Sequence, residues 1–140
     1  MPYRAFAIFA LSFLGACSRG PAHEAEVTLF DIQLRVSLSP AHPYLAEYSR
    51  QLEVTRAGQT QRKELFGDSG GYAWVVVRTR AGQLEVVDLG GVEYAVPVGG
   101  ASASPQYLGR FDFDRQRRYS FIPVSSDATD PSAAFDDLKP

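Results

Sequence analysis

The chain of 140 residues contains one cysteine, Cys17, and two histidines, His23 and His42. A lone cysteine excludes a disulfide within the chain. Two histidines without a nearby cysteine also make no credible zinc site. Lysine is scarce, with only Lys63 and Lys139, and the 14 basic residues are outnumbered by 16 acidic ones. A formal net charge of −2 lacks the basic excess of nucleic-acid-binding proteins, so no nucleic acid is expected as a partner. No apolar run reaches the ~20 residues that a membrane-spanning helix needs. The fold must therefore rest on its apolar core, and no metal or other cofactor is expected.

The longest apolar run, Ala5 to Leu14, is broken only by Ser12, follows Arg4, and leads into Leu14-Gly15-Ala16-Cys17. Its length suits a signal peptide rather than a span. An aliphatic residue, two small residues and then cysteine resemble the lipobox of bacterial lipoproteins. The resemblance implies a signal peptide over 1–16, cleavage before Cys17 and a diacylglyceryl group, usually with a further acyl chain such as palmitate, on that cysteine. Two or more chains hold a protein stably in a membrane, at ~0.8 kcal/mol per buried CH₂. In two-membrane bacteria an aspartate after the cysteine commonly keeps such proteins in the inner membrane. Ser18 therefore implies the cell envelope's outer membrane, on its periplasmic face. Cleavage removes Arg4 and no acidic residue, leaving the mature chain one charge more negative. Residues 17–25, with Gly20 and Pro21, read as the lipidated cysteine and a tether.

Residues 26–124 read as an all-β domain. Phe30, Ile32, Leu34, Val36 and Leu38 alternate with polar residues, the period-two signature of a half-buried strand. Tyr44 to Arg56 follows, either as a strand with Tyr48, Leu52 and Val54 on one face or as a helix striped by Leu45, Tyr48 and Leu52. Tyr72 to Arg80 is richest in β-branched and aromatic residues, which predicts the sheet centre with Val75 and Val77 inward and Trp74 outward. Further strands are expected at 83–89, 92–98, 107–114 and 119–124. Seven to eight strands in an antiparallel meander make a small sandwich or a partly open barrel. The acidic, Pro/Ser/Ala-rich tail of 125–140 admits a short helix started by Asp130-Pro131 and pinned by Phe135 and Leu138.

Thr55-Arg-Ala-Gly-Gln59 recurs as Thr79-Arg-Ala-Gly-Gln83. This predicts two successive hairpins, each turning at Ala-Gly, where glycine supplies a positive φ. Two such hairpins within one small sheet are expected.

No reaction centre emerges from the motifs. Gly67-Asp68-Ser69-Gly70-Gly71 resembles the nucleophile motif of chymotrypsin-like serine proteases. However, His23 and His42 stand in the wrong contexts, and too little chain precedes Ser69 for the barrel those enzymes require. The segment reads as a Gly-rich turn. Asp112-Phe-Asp114 starts like a calcium loop, but Arg117 stands where the loop's glycine belongs. Arg110, Arg115, Arg117 and Arg118 form the densest basic cluster and suit an anionic partner such as a lipid headgroup or sugar phosphate. As a plain solvated turn they would be neutralised by Asp112 and Asp114. Tyr72, Trp74, Tyr94 and Tyr107 either line a ligand face or fill the core.

The expected function is therefore that of a non-enzymatic, lipid-anchored envelope protein that binds or supports another envelope component. Trp74, Tyr72, Arg115, Arg117 and Arg118 are the candidate contact residues, and Cys17 is the lipidation site. In size and address the chain is also similar to small β-rich lipoproteins that inhibit lysozyme, although it lacks their disulfide. That similarity implies a glycan-binding or enzyme-inhibitor module as the alternative, with a hydrolase third.

Overall fold

In the computed structural model, residues 23–45, 47–67, 74–100, 104–113, 116 and 118–124 are described, and their apolar–polar alternation becomes nine strands with no helix among them. Sheet A runs β1 (His23–Leu29), β2 (Ile32–Pro40), β3 (Tyr48–Arg56) and β4 (Gln59–Glu64) as an antiparallel meander. Sheet B contains β5 (Val75–Arg80), β6 (Gln83–Asp88), β7 (Gly91–Pro97), β8 (Gln106–Phe113) and β9 (Tyr119–Pro123), in the order β7-β6-β5-β8-β9. The two sheets pack face to face as a sandwich.

The core lies between them. Ile32, Leu34, Val36 and Leu38 of β2 are fully buried, and Val75, Val77, Leu84, Val86 and Phe111 meet them from sheet B. Each such side chain stabilises the fold by roughly 1.5–3 kcal/mol. β5 occupies the centre of its sheet, as its composition predicts, with Val75 and Val77 inward.

The outer face of sheet A carries an ion-pair ladder. Glu26, Arg35, Glu53 and Arg62 are direct cross-strand partners on four successive strands. Their charges alternate, with Arg35 2.7 Å from Glu26 and 3.6 Å from Glu53, and Arg62 2.8 Å from Glu53. The hydrogen bond from Arg35, helped by one from Gln33, holds the Glu26 carboxyl below its usual range. Exposed pairs add little stability each, but a one-residue slip would break the whole row, so the ladder fixes register.

Both Ala-Gly turns form. Ala57 and Gly58 have φ of 49° and 77°, and Ala81 and Gly82 have 50° and 78°, the doubly positive geometry of a type I′ hairpin. The two hairpins, however, lie in different sheets, β3–β4 in A and β5–β6 in B, rather than in one. The echo thus relates the two layers of the sandwich.

Three further expectations are corrected. Phe30 does not continue the inward row of β2. It sits in the β1–β2 turn at φ 58° and is 60% exposed. β1 therefore forms a separate strand, and it takes up His23 to Ala25, which the composition assigned to the tether. β4, all polar and all exposed, offers no apolar period to read. These two strands bring the number to nine. The segment from Tyr48 to Arg56, by contrast, forms the strand expected within 44–56. The C-terminal helix expected around 130–138 lies outside the described residues, as do 1–22.

A bulge in β8 shifts its register against β5 between Val77 and Arg78, next to Gly109. A Cβ on Gly109 would stand 2.5 Å from the backbone oxygen of Ile122 on β9. Gly109→Ala is expected to destabilise the domain by about 1–3 kcal/mol through this overpacking. Urea titration should show a lower midpoint at an unchanged slope. An unchanged midpoint would mean that β9 does not lie this close to β8.

Candidate functional site

The two outer faces of the sandwich differ in chemistry. On sheet A the outward positions of β1 to β4 are all polar or charged, as expected where a sheet meets water. On sheet B the outward row includes Val76, Val87, Val92, Tyr107 and Ile122, interleaved with charged pairs. Val76 is the sharpest case, outward yet only 3% exposed because its neighbours cover it. Trp74, half-buried, directly precedes the inward Val75, so strand alternation puts it on this same outer face.

The polar members of the face are paired. Arg78 and Glu85, direct partners on β5 and β6, meet at 2.6 Å with most of both side chains covered. Arg110 on β8 meets Asp112 at 3.0 Å. Tyr107 titrates above its usual range, chiefly because burial disfavours the phenolate; Arg110 opposes this and Asp112 adds to it. A face of this kind, with aromatic rings, aliphatic spacers and paired charges, can stack on a ligand and hydrogen-bond it.

Beneath its edge lies a buried node. Arg50 of β3 points inward opposite Leu38, and its side chain and that of Asp88 are both completely buried. Arg50 Nη2 is 3.4 Å from Asp88 Oδ2, and Arg50 also donates to the Phe66 carbonyl, at 2.8 Å through Nε, and to the Trp74 carbonyl at 3.4 Å. Asp88 in turn accepts the Phe66 N–H at 3.0 Å and the Gly90 N–H at 2.7 Å. One ion pair thus joins sheet A to sheet B and fixes both shoulders of the 68–73 segment, so it also positions Trp74. Sequence reasoning missed it, although the signal was present: Arg50 falls in phase with Tyr48, Leu52 and Val54, an inward position.

Of the sequence-derived candidates, the structure brings Trp74, Tyr107 and Arg110 to one face. Tyr94 is not among them, because opposite Val86 it turns toward the core. Arg118 is exposed just ahead of β9. Cys17, Tyr72, Arg115 and Arg117 lie outside the described residues, and so does Ser69. The histidines are engaged elsewhere. The His23 ring meets Tyr48 and Phe113 edge-on at 6.1 and 5.3 Å, and His42 Nδ1 accepts the Tyr44 N–H at 3.2 Å.

A concavity of about 560 Å³ opens where β1 and β9 run side by side, between Ala25, Val27 and Leu29 on one strand and Tyr119, Phe121 and Pro123 on the other. On the opposite side the sheets are stitched by side chains. Arg56 donates to the Pro97 carbonyl at 2.8 Å, and Lys63 pairs with Glu93 at 3.4 Å.

These features define a class, a small two-sheet antiparallel β-sandwich with one polar and one mixed outer face. No protein-family model, curated protein or solved structure matches the chain.

Proposed function

We propose that this chain is a lipid-anchored protein of the bacterial cell envelope that binds another envelope component on the outer face of sheet B and carries out no reaction itself. The observation that carries the binding reading is the contrast between the two outer faces. Water-facing strands in one molecule share one solvent, so an apolar and aromatic row on one sheet alone marks a surface that meets something other than water. The anchor rests on Leu14 to Cys17, and the outer-membrane address on Ser18. The partner is an envelope protein in the first reading. A glycan or an inhibited enzyme is the second, favoured by Tyr107 standing directly across from Arg78 of the Arg78–Glu85 pair.

Two experiments test this. Cys17→Ser is expected to leave the precursor uncleaved by the lipoprotein signal peptidase and to abolish labelling with palmitate. A serine variant that still labels removes the anchor from the proposal. For the face, acylated full-length protein is used to capture partners from detergent-solubilised envelopes. Trp74→Ala and Tyr107→Ala should lose the captured component, whereas Glu53→Gln on the opposite face should retain it. Equal capture by all three variants would overturn the assignment of the face. A captured protein supports the first reading, and captured muropeptides support the second.

A further inference from the structure

We infer that the end of the sandwich at which β1 begins rests on the bilayer, with Tyr44, Leu45, Phe66 and Leu89 set into the lipid headgroup and upper acyl region. This rests on the lipid anchor proposed above and adds a second, non-covalent membrane contact to it. The topology sorts every connection to one of two ends. At one end are the first residue of β1, the β2–β3 loop, the chain leaving β4 through Phe66, Trp74 entering β5, the β6–β7 turn and the β8–β9 connection. At the other are the β1–β2 turn, both Ala-Gly turns, the β7–β8 connection and the exit from β9.

Exposed apolar residues are not shared equally between the ends. Among the described residues six large hydrophobics are exposed, and only Phe30 belongs to the far end. Tyr44 (90% exposed), Leu45, Phe66 and Leu89 project from connections at the β1 end, and Val92 stands at the start of β7 beside them. Phe66 and Leu89 adjoin, since Asp88 holds the Phe66 N–H and the Phe66 Cβ lies against Gly90.

The tether selects the occupant. Cys17 lies six residue steps before His23, a reach of at most ~21 Å even fully extended. β2 alone is nine residues, about 30 Å long. The lipidated cysteine therefore keeps the β1 end within ~21 Å of the membrane surface, whereas the Phe30 end is free to stand a strand length further away. Apolar side chains held there by an anchor meet lipid at high effective concentration, so even a weak insertion is populated. Tyrosine and leucine on loops suit that depth, because the phenol keeps its hydroxyl among the headgroups.

The test uses acylated full-length protein in phosphatidylcholine–phosphatidylglycerol vesicles whose acyl chains carry bromine, a contact quencher. Trp74→Phe removes the only tryptophan, and Leu45→Trp, Leu89→Trp or Phe30→Trp then reports one position each. These sites are exposed, so the variants should fold. Emission from positions 45 and 89 should be quenched and blue-shifted, while that from position 30 should not change. Quenching at none of the three, or equally at all three, overturns the inference and leaves the anchor intact. Protein mass reports acylation separately. If Cys17 proves unmodified, the anchor reading fails; loss of quenching at 45 and 89 then removes this contact too, whereas retained quenching supports it on its own. Positions 45 and 89 shielded from lipid by a bound protein would also overturn it.

Discussion

Asp88→Ala is expected to destabilise the domain by about 3–5 kcal/mol, the cost of breaking a buried ion pair from one side. Small domains have only about 5–15 kcal/mol in total, so much of that reserve is lost. Three consequences add together. The Arg50 guanidinium, completely buried, loses its counter-ion, and the N–H groups of Phe66 and Gly90 lose their acceptor. Arg50 keeps the Phe66 and Trp74 carbonyls, but carbonyls do not neutralise its charge.

The pair need not be a net source of stability, and a second variant separates the two ideas. Arg50→Met with Asp88→Leu removes both charges and fills the space with apolar groups, an exchange that is often neutral or favourable. The double variant should therefore recover much of the loss, and a double-mutant cycle should give a coupling of several kcal/mol. What it will not recover is the placement of the 66–74 shoulders, because no side chain then bridges Phe66, Gly90 and Trp74. Amide exchange reads this directly. The Phe66 and Gly90 amides should exchange faster in the double variant than in the parent, while core amides of β2 stay protected. If Asp88→Ala unfolds at the parental urea concentration, the node is not a support of the fold.

The same node shows where sequence reading stops. β2 and β5 were legible because their apolar residues are strictly alternating or concentrated, and each Ala-Gly turn because few dipeptides suit a doubly positive φ. β4 was not legible, since Gln59 to Glu64 contains no apolar residue and meets β3 through its backbone ladder and polar side-chain contacts such as Arg62–Glu53. The break at Phe30 was hidden because a turn without glycine left the period-two count uninterrupted. Alternation assigns a residue to a face but not a strand to a neighbour, so it could not tell that the two echoed hairpins belong to opposite sheets. Bulges blur even the faces. A register shift between Val86 and Val87 separates Tyr94, inward, from Val92, outward, and aromatic spacing carries no trace of it. Of the candidate face, Trp74 is assigned outward by its phase against Val75. Its paired charges became visible only once Arg78 met Glu85 across the hairpin.

Val75→Asp is the second large effect, and its contrast with Trp74→Ala tests both the sandwich and the face. Val75, on the central strand, is completely buried opposite Phe111, and the buried cation nearby, Arg50, which reaches the Trp74 carbonyl, is already paired with Asp88. An unpaired carboxylate in such a place costs several kcal/mol, so the domain should be largely unfolded at neutral pH and recover partly in mild acid, where the carboxyl is neutral. One residue earlier the outcome reverses. Trp74 is half-buried on the outer face, so Trp74→Ala should cost only about 1–2 kcal/mol, less than the 3–5 kcal/mol of a tryptophan lost from a core. Its fold should persist while capture of the envelope component fails. Urea titration gives both stabilities, and amide exchange locates the damage. In the parent, amides from 75 to 80 should be among the slowest to exchange, since β5 is flanked by β6 and β8. If they exchange as fast as those of the Ala57-Gly58 turn, β5 is not the centre of sheet B. If Trp74→Ala unfolds the domain as Val75→Asp does, Trp74 belongs to the core and the outer face loses its principal ring.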